Sequence, residues 1–166
     1  MENFDKAKSC CFSGHRAMDF DMDLSQKGYA MQNALKNAVN QAITDGFEVF
    51  YGGLAQGFDI IAAETIMKEK YVRGGKPLLV SVAPFRGQEL RWNNHWRARH
   101  DAVLRASDKI ITLNDRFIKG CYHERNRFLI DHCARLIGFW SGKSGGTKHT
   151  FDYAAEKGIE VVNIFD

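Results

Sequence analysis

The chain has 166 residues, of which 45% are hydrophobic, 12% aromatic and 26% charged, and its formal net charge is +3. This length and apolar content suffice for one hydrophobic core, so we expect a single domain over residues 1–166, and the aromatic content excludes a disordered chain. The small net charge does not by itself indicate a nucleic-acid partner, and the absence of a long apolar run argues against a membrane span.

Six apolar runs, rich in β-branched and aromatic residues, alternate with helical patterns along the chain. The runs predict strands at residues 8–12, 47–51, 78–83, 108–113, 134–140 and 159–165. The helical patterns cover residues 25–46, 58–73, 88–105, 122–133 and 147–157. The strands are almost continuously apolar, as expected of parallel strands that are buried on both faces. We therefore predict an α/β fold, a Rossmann-like three-layer αβα sandwich with a mainly parallel sheet.

The segment after the first predicted strand reads Ser13, Gly14, His15 and Arg16. In parallel sheets, ligands bind beyond the carboxyl ends of the strands, so the loops that follow strands are the places to search. The glycine permits a tight turn, and the three polar side chains supply hydrogen-bond donors. This segment is interpreted as part of an anion-binding site, with a solvated turn as the alternative.

The loop after the second strand contains Gly52, Gly53 and Gly57, and Asp59 lies in the first turn of the next helix. Glycines before a helix allow backbone N–H groups to approach a phosphate, which the helix dipole also favours. Asp59 is expected to accept a hydrogen bond from a ribose hydroxyl, or to stabilise the start of the helix. Neither this loop nor the first one carries the GxGxxG fingerprint, which argues against a nicotinamide dehydrogenase.

A second loop of this kind follows the fifth strand, with Ser144, Gly145, Gly146 and Thr147 at the start of a helix. Its Gly-Lys-Ser triplet is not a P-loop, because the glycine that the Walker pattern requires is displaced by one position. We expect the 52–57 and 142–147 loops to converge and to hold phosphates with their backbone amides. Two ordinary tight turns are the alternative.

Two further segments are candidates for the same crevice. Pro84 and Phe85 follow the third strand, and Trp92 lies near the start of the helical pattern at 88–105, where it either stacks on a base or packs in the core. Arg125 and Asn126 lie in the fourth helical pattern, where Arg125 and Arg127 form a basic pair that either binds phosphate or belongs to a solvated helix face.

The cysteines and the N-terminus bear on the compartment. Cys10, Cys11, Cys121 and Cys133 form no CxxC pair and no zinc-type cluster, so we expect reduced thiols and no metal site. The first residues, Met1–Asp5, lack a basic flank and an apolar segment, so no secretory signal is expected. We therefore expect a cytoplasmic protein.

Taken together, the loops at 13–16, 52–59, 84–92, 125–127 and 144–147 resemble the YpsA-like family of the SLOG superfamily. This superfamily joins the DNA-processing protein DprA/Smf with the LOG nucleotide enzymes, and the resemblance covers residues from about 8 to 165. It implies a Rossmann-like sheet whose crevice binds nucleotides or nucleotide-derived molecules. Members of the superfamily commonly dimerise, so it also implies a homo-oligomer.

The branches of this superfamily differ in chemistry. LOG enzymes cleave an N-glycosidic bond with the glutamate of a PGGxGTxxE motif, and the resemblance places Thr150 at that glutamate position. A hydroxyl cannot stabilise an oxocarbenium ion as a carboxylate does, which argues against an enzyme. The alternative is a nucleotide N-glycosidase in which Glu64 or Asp59 replaces the missing glutamate.

We therefore favour a module that binds an ADP-ribose-like, NAD-like or cyclic nucleotide ligand without turnover, as a sensor or by sequestration. No cofactor is required. A second alternative is DprA-like binding of single-stranded DNA through a set of arginines: Arg91, Arg97, Arg99, Arg125 and Arg127.

Overall fold

Strands and helices alternate through residues 4–165, the part of the chain that the computed structural model describes. The strands are β1 (Ser9–Gly14), β2 (Val49–Gly52), β3 (Leu78–Ala83), β4 (Lys109–Thr112), β5 (Arg135–Phe139) and β6 (Glu160–Asn163). The α-helices are α1 (Gln26–Thr44), α2 (Phe58–Arg73), α3 (Asn94–Ala106), α4 (Cys121–Asp131) and α5 (Gly146–Lys157). The predicted α/β Rossmann-like class is confirmed, and each predicted strand has an observed counterpart.

The six strands form one sheet in the order β4-β3-β2-β1-β5-β6, with every neighbouring pair parallel. The chain moves outward from β1 to β4 and then returns to the other side of β1 with β5. Cys10 of β1 is accordingly in register with Phe50 of β2 on one side and with Arg135 of β5 on the other. The order of the strands therefore reverses between β1 and β5, and this reversal is the topological switch point where ligands bind in open α/β sheets.

The helices divide between the two faces of the sheet. Buried side chains of α1, α2 and α3 share one hydrophobic core, whereas those of α4 and α5 share the other. Cys10 belongs to the first core and its neighbour Cys11 to the second, as the alternation of side chains along a strand requires. All four cysteines are buried and unpaired.

The predicted helix at 88–105 is interrupted. A short 3-10 helix covers Gln88–Arg91, and α3 begins only at Asn94. The reason is a helix cap, because the side chain of Asn93 accepts a hydrogen bond from the Trp96 N–H at 3.0 Å. Within residues 4–165, no helical segment has both the length and the hydropathy for crossing a bilayer.

Candidate functional site

A cleft of about 240 Å³ opens beyond the carboxyl ends of β1 and β5, at the reversal of the strand order. We call it the switch-point cleft and define it by its walls: the turn after β1, Ala55 and Asp59, the first turns of α4, and residues 143–147 at the start of α5. The predicted site residues that line it are Ser13, Gly14, His15, Arg16, Asp59, Arg125, Asn126, Ser144, Gly145, Gly146 and Thr147.

The other predicted site residues lie outside this lining; they are Gly52, Gly53, Gly57, Pro84, Phe85 and Trp92. Pro84 is buried, and its carbonyl accepts a hydrogen bond from the Asn114 side chain at 3.0 Å. The ring of Trp92 packs edge-on against His100, with centroids 5.4 Å apart, and contributes to the core beneath α1–α3. Of the two interpretations of Trp92, core packing is the one that matches this position.

The start of α5 forms one exposed wall of the cleft. Gly145 precedes the helix with a φ of 137°, a conformation that residues with a Cβ rarely adopt, and no side chain caps the helix. Ser144, Gly145 and Gly146 are exposed. The first N–H groups of a helix have no partner within the helix, and the dipole places partial positive charge there. This wall is therefore suited to a phosphate group.

The β2–α2 loop was predicted to hold a phosphate with its backbone amides, and the structure gives it a different set of contacts. Its Ala55 N–H donates to Asp59 Oδ2 at 3.3 Å, and the Gln56 carbonyl accepts from the Ala17 N–H at 3.2 Å. A Cβ at Gly57 would overlap the backbone of Arg16 and Ala17, so this glycine serves the contact between two loops. The loop reaches the cleft through Ala55 and Asp59, and the Ala55 N–H is engaged by the Asp59 carboxylate.

Arg125 is a buried cation at the base of the cleft, with only 3% of its surface exposed. Its Nη1 donates to the Gly53 carbonyl, and its Nε donates to Asn126 Oδ1 at 2.9 Å. A Cβ on Gly53 would come within 2.9 Å of the Arg125 Cδ, Nε and Cζ atoms. Burial lowers the pKa of Arg125, and the negative charge of Asp59 opposes that shift. Gly53 therefore makes room for a cation rather than for a ligand.

His15 joins the three chain segments that meet at the cleft. Its N–H donates to the Phe139 carbonyl and its carbonyl accepts from the Phe58 N–H, both at 3.2 Å. Its ring Nε2 accepts the Ser141 N–H at 2.8 Å, so this nitrogen carries no proton. Burial lowers the pKa of the imidazole, although Asp19 raises it. The proton that the neutral ring retains is on Nδ1, which lies 3.7 Å from Asp19 Oδ2.

Asp59 is buried and only partly satisfied. Its surface is 7% exposed, and within residues 4–165 its Oδ1 atom has no hydrogen-bond partner. Burial raises the pKa of this carboxyl to about 6, against the opposing effect of Arg125. A shifted carboxyl group in a cleft is typical of a functional site.

Six residues that line the cleft were not among the predicted site residues: Met18, Asp19, Ala55, Tyr122, His123 and Lys143. Tyr122 is the second residue of α4, and its ring lies 5.6 Å from the guanidinium of Arg16 and packs edge-on against Phe85 at 6.0 Å. Phe85 is therefore adjacent to the cleft through Tyr122. Tyr122 and His123 reach this edge of the sheet only because β5 returns beside β1, so no local pattern in the sequence marks them.

The three residues considered for glycosidic cleavage, Thr150, Glu64 and Asp59, do not lie together in one site. Thr150 is buried and its hydroxyl donates to the Gly146 carbonyl at 3.1 Å, so it belongs to the helix rather than to the cleft. Glu64 forms an ion pair with Arg99 outside the cleft lining. Asp59 is the member of this set that lines the cleft. Residues 4–165 contain no cluster of three or more histidine, cysteine or acidic side chains arranged to hold a metal ion.

Comparisons with known proteins agree with this fold. A family model described as the YspA SLOG family, under the name YpsA, matches residues 10–163. No curated protein matched the chain at the significance required. Solved structures did match, and their low sequence identity means that the likeness concerns the fold alone.

Two of these structures are DNA processing protein A. The one from Streptococcus pneumoniae has a TM-score of 0.63 and 19% identity over 94% of this chain and 50% of that chain. The one from Helicobacter pylori, whose description concerns its single-stranded DNA binding mode, has a TM-score of 0.60 and 17% identity over 92% of this chain and 63% of that chain. This chain thus spans half to less than two thirds of these relatives. The structural-genomics target TM1055 has a TM-score of 0.56 and 14% identity, with coverage of 93% and 72%.

Proposed function

The chain belongs to the YpsA family of SLOG proteins, and from that premise we propose that its switch-point cleft binds a phosphate-containing, nucleotide-derived small molecule. The ligand is of the ADP-ribose, NAD or cyclic nucleotide type, and it is held rather than consumed. A protein of this kind acts as a sensor of the ligand or sequesters it.

The observation that carries the proposal is the uncapped start of α5 in the wall of the cleft. Backbone N–H groups at a helix N-terminus favour a phosphate, and the exposed side chains of Arg16 and Lys143 add positive charge in the same cleft. Neither of these side chains has a carboxylate within ion-pair distance among residues 4–165, and Arg16 contacts the Tyr122 ring instead. Both charges are therefore available to an anion.

An aromatic group on the ligand has a matching surface around Tyr122, which lines the cleft. Tyr122 lies within 6.2 Å of Phe117 and 6.0 Å of Phe85, measured between ring centroids, and Phe117 is 58% exposed. A base stacks well on such side chains. This aromatic cluster supports a ligand that combines phosphates with a purine or pyridine ring.

Isothermal titration calorimetry against ADP-ribose, NAD and cyclic ADP-ribose tests the proposal. We expect binding of at least one of them, weakened about tenfold by Arg16→Gln because a charge-assisted contact is lost. Arg86→Gln is the matched control, since Arg86 is exposed and lies outside the cleft lining. Silent titrations with a folded protein contradict the proposal. Chromatography after long incubation tests turnover, and released nicotinamide or adenine would show an N-glycosidase.

The second candidate function is single-stranded DNA binding, favoured by the structural likeness to the Helicobacter pylori protein. Two of the arginines considered for this function are engaged, since Arg99 pairs with Glu64 and Asp23 and Arg125 is buried. Arg91, Arg97 and Arg127 remain exposed. A gel-shift series with an oligonucleotide distinguishes the candidates, because DNA binding through several phosphates weakens steeply with salt.

A further inference from the structure

Asp59 presents an unsatisfied acceptor at the base of the switch-point cleft. The residue is 7% exposed, and its Oδ2 atom accepts the Ala55 N–H at 3.3 Å. Its Oδ1 atom has no hydrogen-bond partner within residues 4–165. Leaving a buried polar atom without a partner is costly, and such atoms in native proteins call for an explanation.

The nearest cation does not provide that explanation. Arg125 attracts Asp59 electrostatically, yet its Nη1 and Nε atoms donate to the Gly53 carbonyl and to Asn126 Oδ1. No nitrogen of Arg125 lies within ion-pair distance of the Asp59 carboxylate among the contacts of residues 4–165. The two charges therefore compensate each other at a distance, and the Oδ1 position remains available.

The chemistry of the partner follows from the chemistry of the acceptor. An ionised carboxylate only accepts hydrogen bonds, so its partner must be a donor. Phosphate oxygens accept hydrogen bonds and carry negative charge, so they cannot be the partner of Asp59. They fit the start of α5 and the side chains of Arg16 and Lys143. Ribose hydroxyls are the donors of a nucleotide that lie next to its phosphates.

We propose that Asp59 Oδ1 accepts a hydrogen bond from a ribose hydroxyl of the bound ligand and makes the cleft selective for ribosyl over deoxyribosyl phosphates. This inference rests on the proposed function and deepens it, because it assigns the sugar of the ligand. It also separates the two candidate functions, since a nucleotide within a DNA strand has neither a 2′-hydroxyl nor a free 3′-hydroxyl.

The test compares ADP with 2′-deoxy-ADP and 3′-deoxy-ADP by calorimetry on the wild-type chain, with ADP-ribose as the reference ligand. We expect one of the two deoxy compounds to bind about tenfold to a hundredfold more weakly than ADP, as is usual for a lost hydrogen bond to a charged group. The ratio of the dissociation constants of the deoxy compound and ADP should shrink to about threefold or less in Asp59→Ala, which removes the acceptor. In Asp59→Asn, which keeps the shape of the side chain, the ratio should be intermediate.

Asp131→Asn is the control, because Asp131 is exposed and lies at the far end of α4, where it bonds to Tyr153. The wild-type comparison needs no variant, so poor folding of Asp59→Ala does not affect it. Equal binding of ADP and both deoxy compounds overturns the inference and leaves the proposed function standing. If neither ADP nor ADP-ribose binds the folded protein, the inference and the proposed function fall together.

Discussion

The guanidinium of Arg125 occupies the space that a side chain on Gly53 would need. The Arg125 Cδ, Nε and Cζ atoms would all lie 2.9 Å from a Cβ at that position, and Nη1 donates to the carbonyl of the same glycine. Through this close contact, α4 packs against the end of β2 from the face of the sheet opposite to α1–α3. A glycine that resembles part of a phosphate cradle in the sequence thus positions a buried cation.

We predict that Gly53→Ala lowers the free energy of unfolding by about 1–3 kcal/mol, because Arg125 is displaced from a packed position. Binding of ADP-ribose should weaken in parallel, since Arg125 lines the cleft. Urea denaturation and calorimetry measure the two effects. Gly52→Ala is the control, because a Cβ there meets no atom within 4 Å. Equal stability of the two variants would contradict the contact with Arg125.

Gly146→Ala should separate binding from stability. A Cβ at this position meets no atom within 4 Å, and the residue is the first of α5, so we expect no loss of stability. The same methyl group would stand where a phosphate approaches the helix N-terminus, and we expect ADP-ribose to bind about tenfold more weakly. Calorimetry and thermal unfolding check the two halves of this prediction, with Gly52→Ala again as control. Unchanged affinity would place the phosphate elsewhere.

Asp59→Asn should stabilise the protein above pH 6. The pKa of Asp59 is about 6 in the folded chain and near its ordinary value of 3.8 in the unfolded chain. Between these values the folded chain binds the extra proton, so the stability that this group contributes is present at low pH and is lost as the pH rises through 6. The free energy of unfolding of the variant, taken relative to that of the wild type, should increase by on the order of 2 kcal/mol from pH 4 to pH 8.

Urea denaturation across that pH range provides the measurement, with Asp131→Asn as the matched control. If the free energies of unfolding of the wild type and Asp59→Asn changed with pH in parallel, burial would not raise the pKa of the Asp59 carboxyl.

His15→Ala should destabilise the protein by about 1 kcal/mol, because the Ser141 N–H loses its acceptor. The pH dependence has the opposite sign to that of Asp59. Burial lowers the pKa of His15, so the unfolded chain binds the proton more readily and stability is lost as the pH falls below the ordinary value of 6.5.

The destabilising effect of His15→Ala should therefore be smaller at pH 5.5 than at pH 7.5 in urea denaturation. His132→Ala, at the exposed end of α4, is the control. An effect of the same size at both pH values would mean that the proton does not compete with the Ser141 N–H.

The fold was accessible from the sequence because its signals are local. Nearly continuous apolar runs predicted the parallel strands. The 52–57 and 142–147 loops were predicted to converge, but they follow β2 and β5, which lie on either side of β1, and only Ala55 of the first loop lines the cleft. The family was also predicted correctly, as the match over residues 10–163 confirms. These features depend on the local pattern of side chains, whereas the order of the strands in the sheet was not predicted.

The roles of individual residues in the cleft were less accessible, because they depend on contacts between distant segments. The glycines at 53 and 57 have the same local pattern as Gly145, yet they accommodate Arg125 and the backbone of Arg16. Tyr122 contributes to the cleft only because β5 returns beside β1 and brings α4 with it. Spacing along the chain carries no information about such encounters.

The return of β5 to the side of β1 also has a consequence for how the protein folds. Strands β1–β4 with their connecting helices supply only part of the cleft wall, and the remainder arrives when the last third of the chain docks. Completion of the cleft therefore requires the long-range pairing of β1 with β5, and long-range pairing slows folding. A bound ligand that contacts both parts would connect them. It would have to dissociate before the last third of the chain could separate from β1–β4.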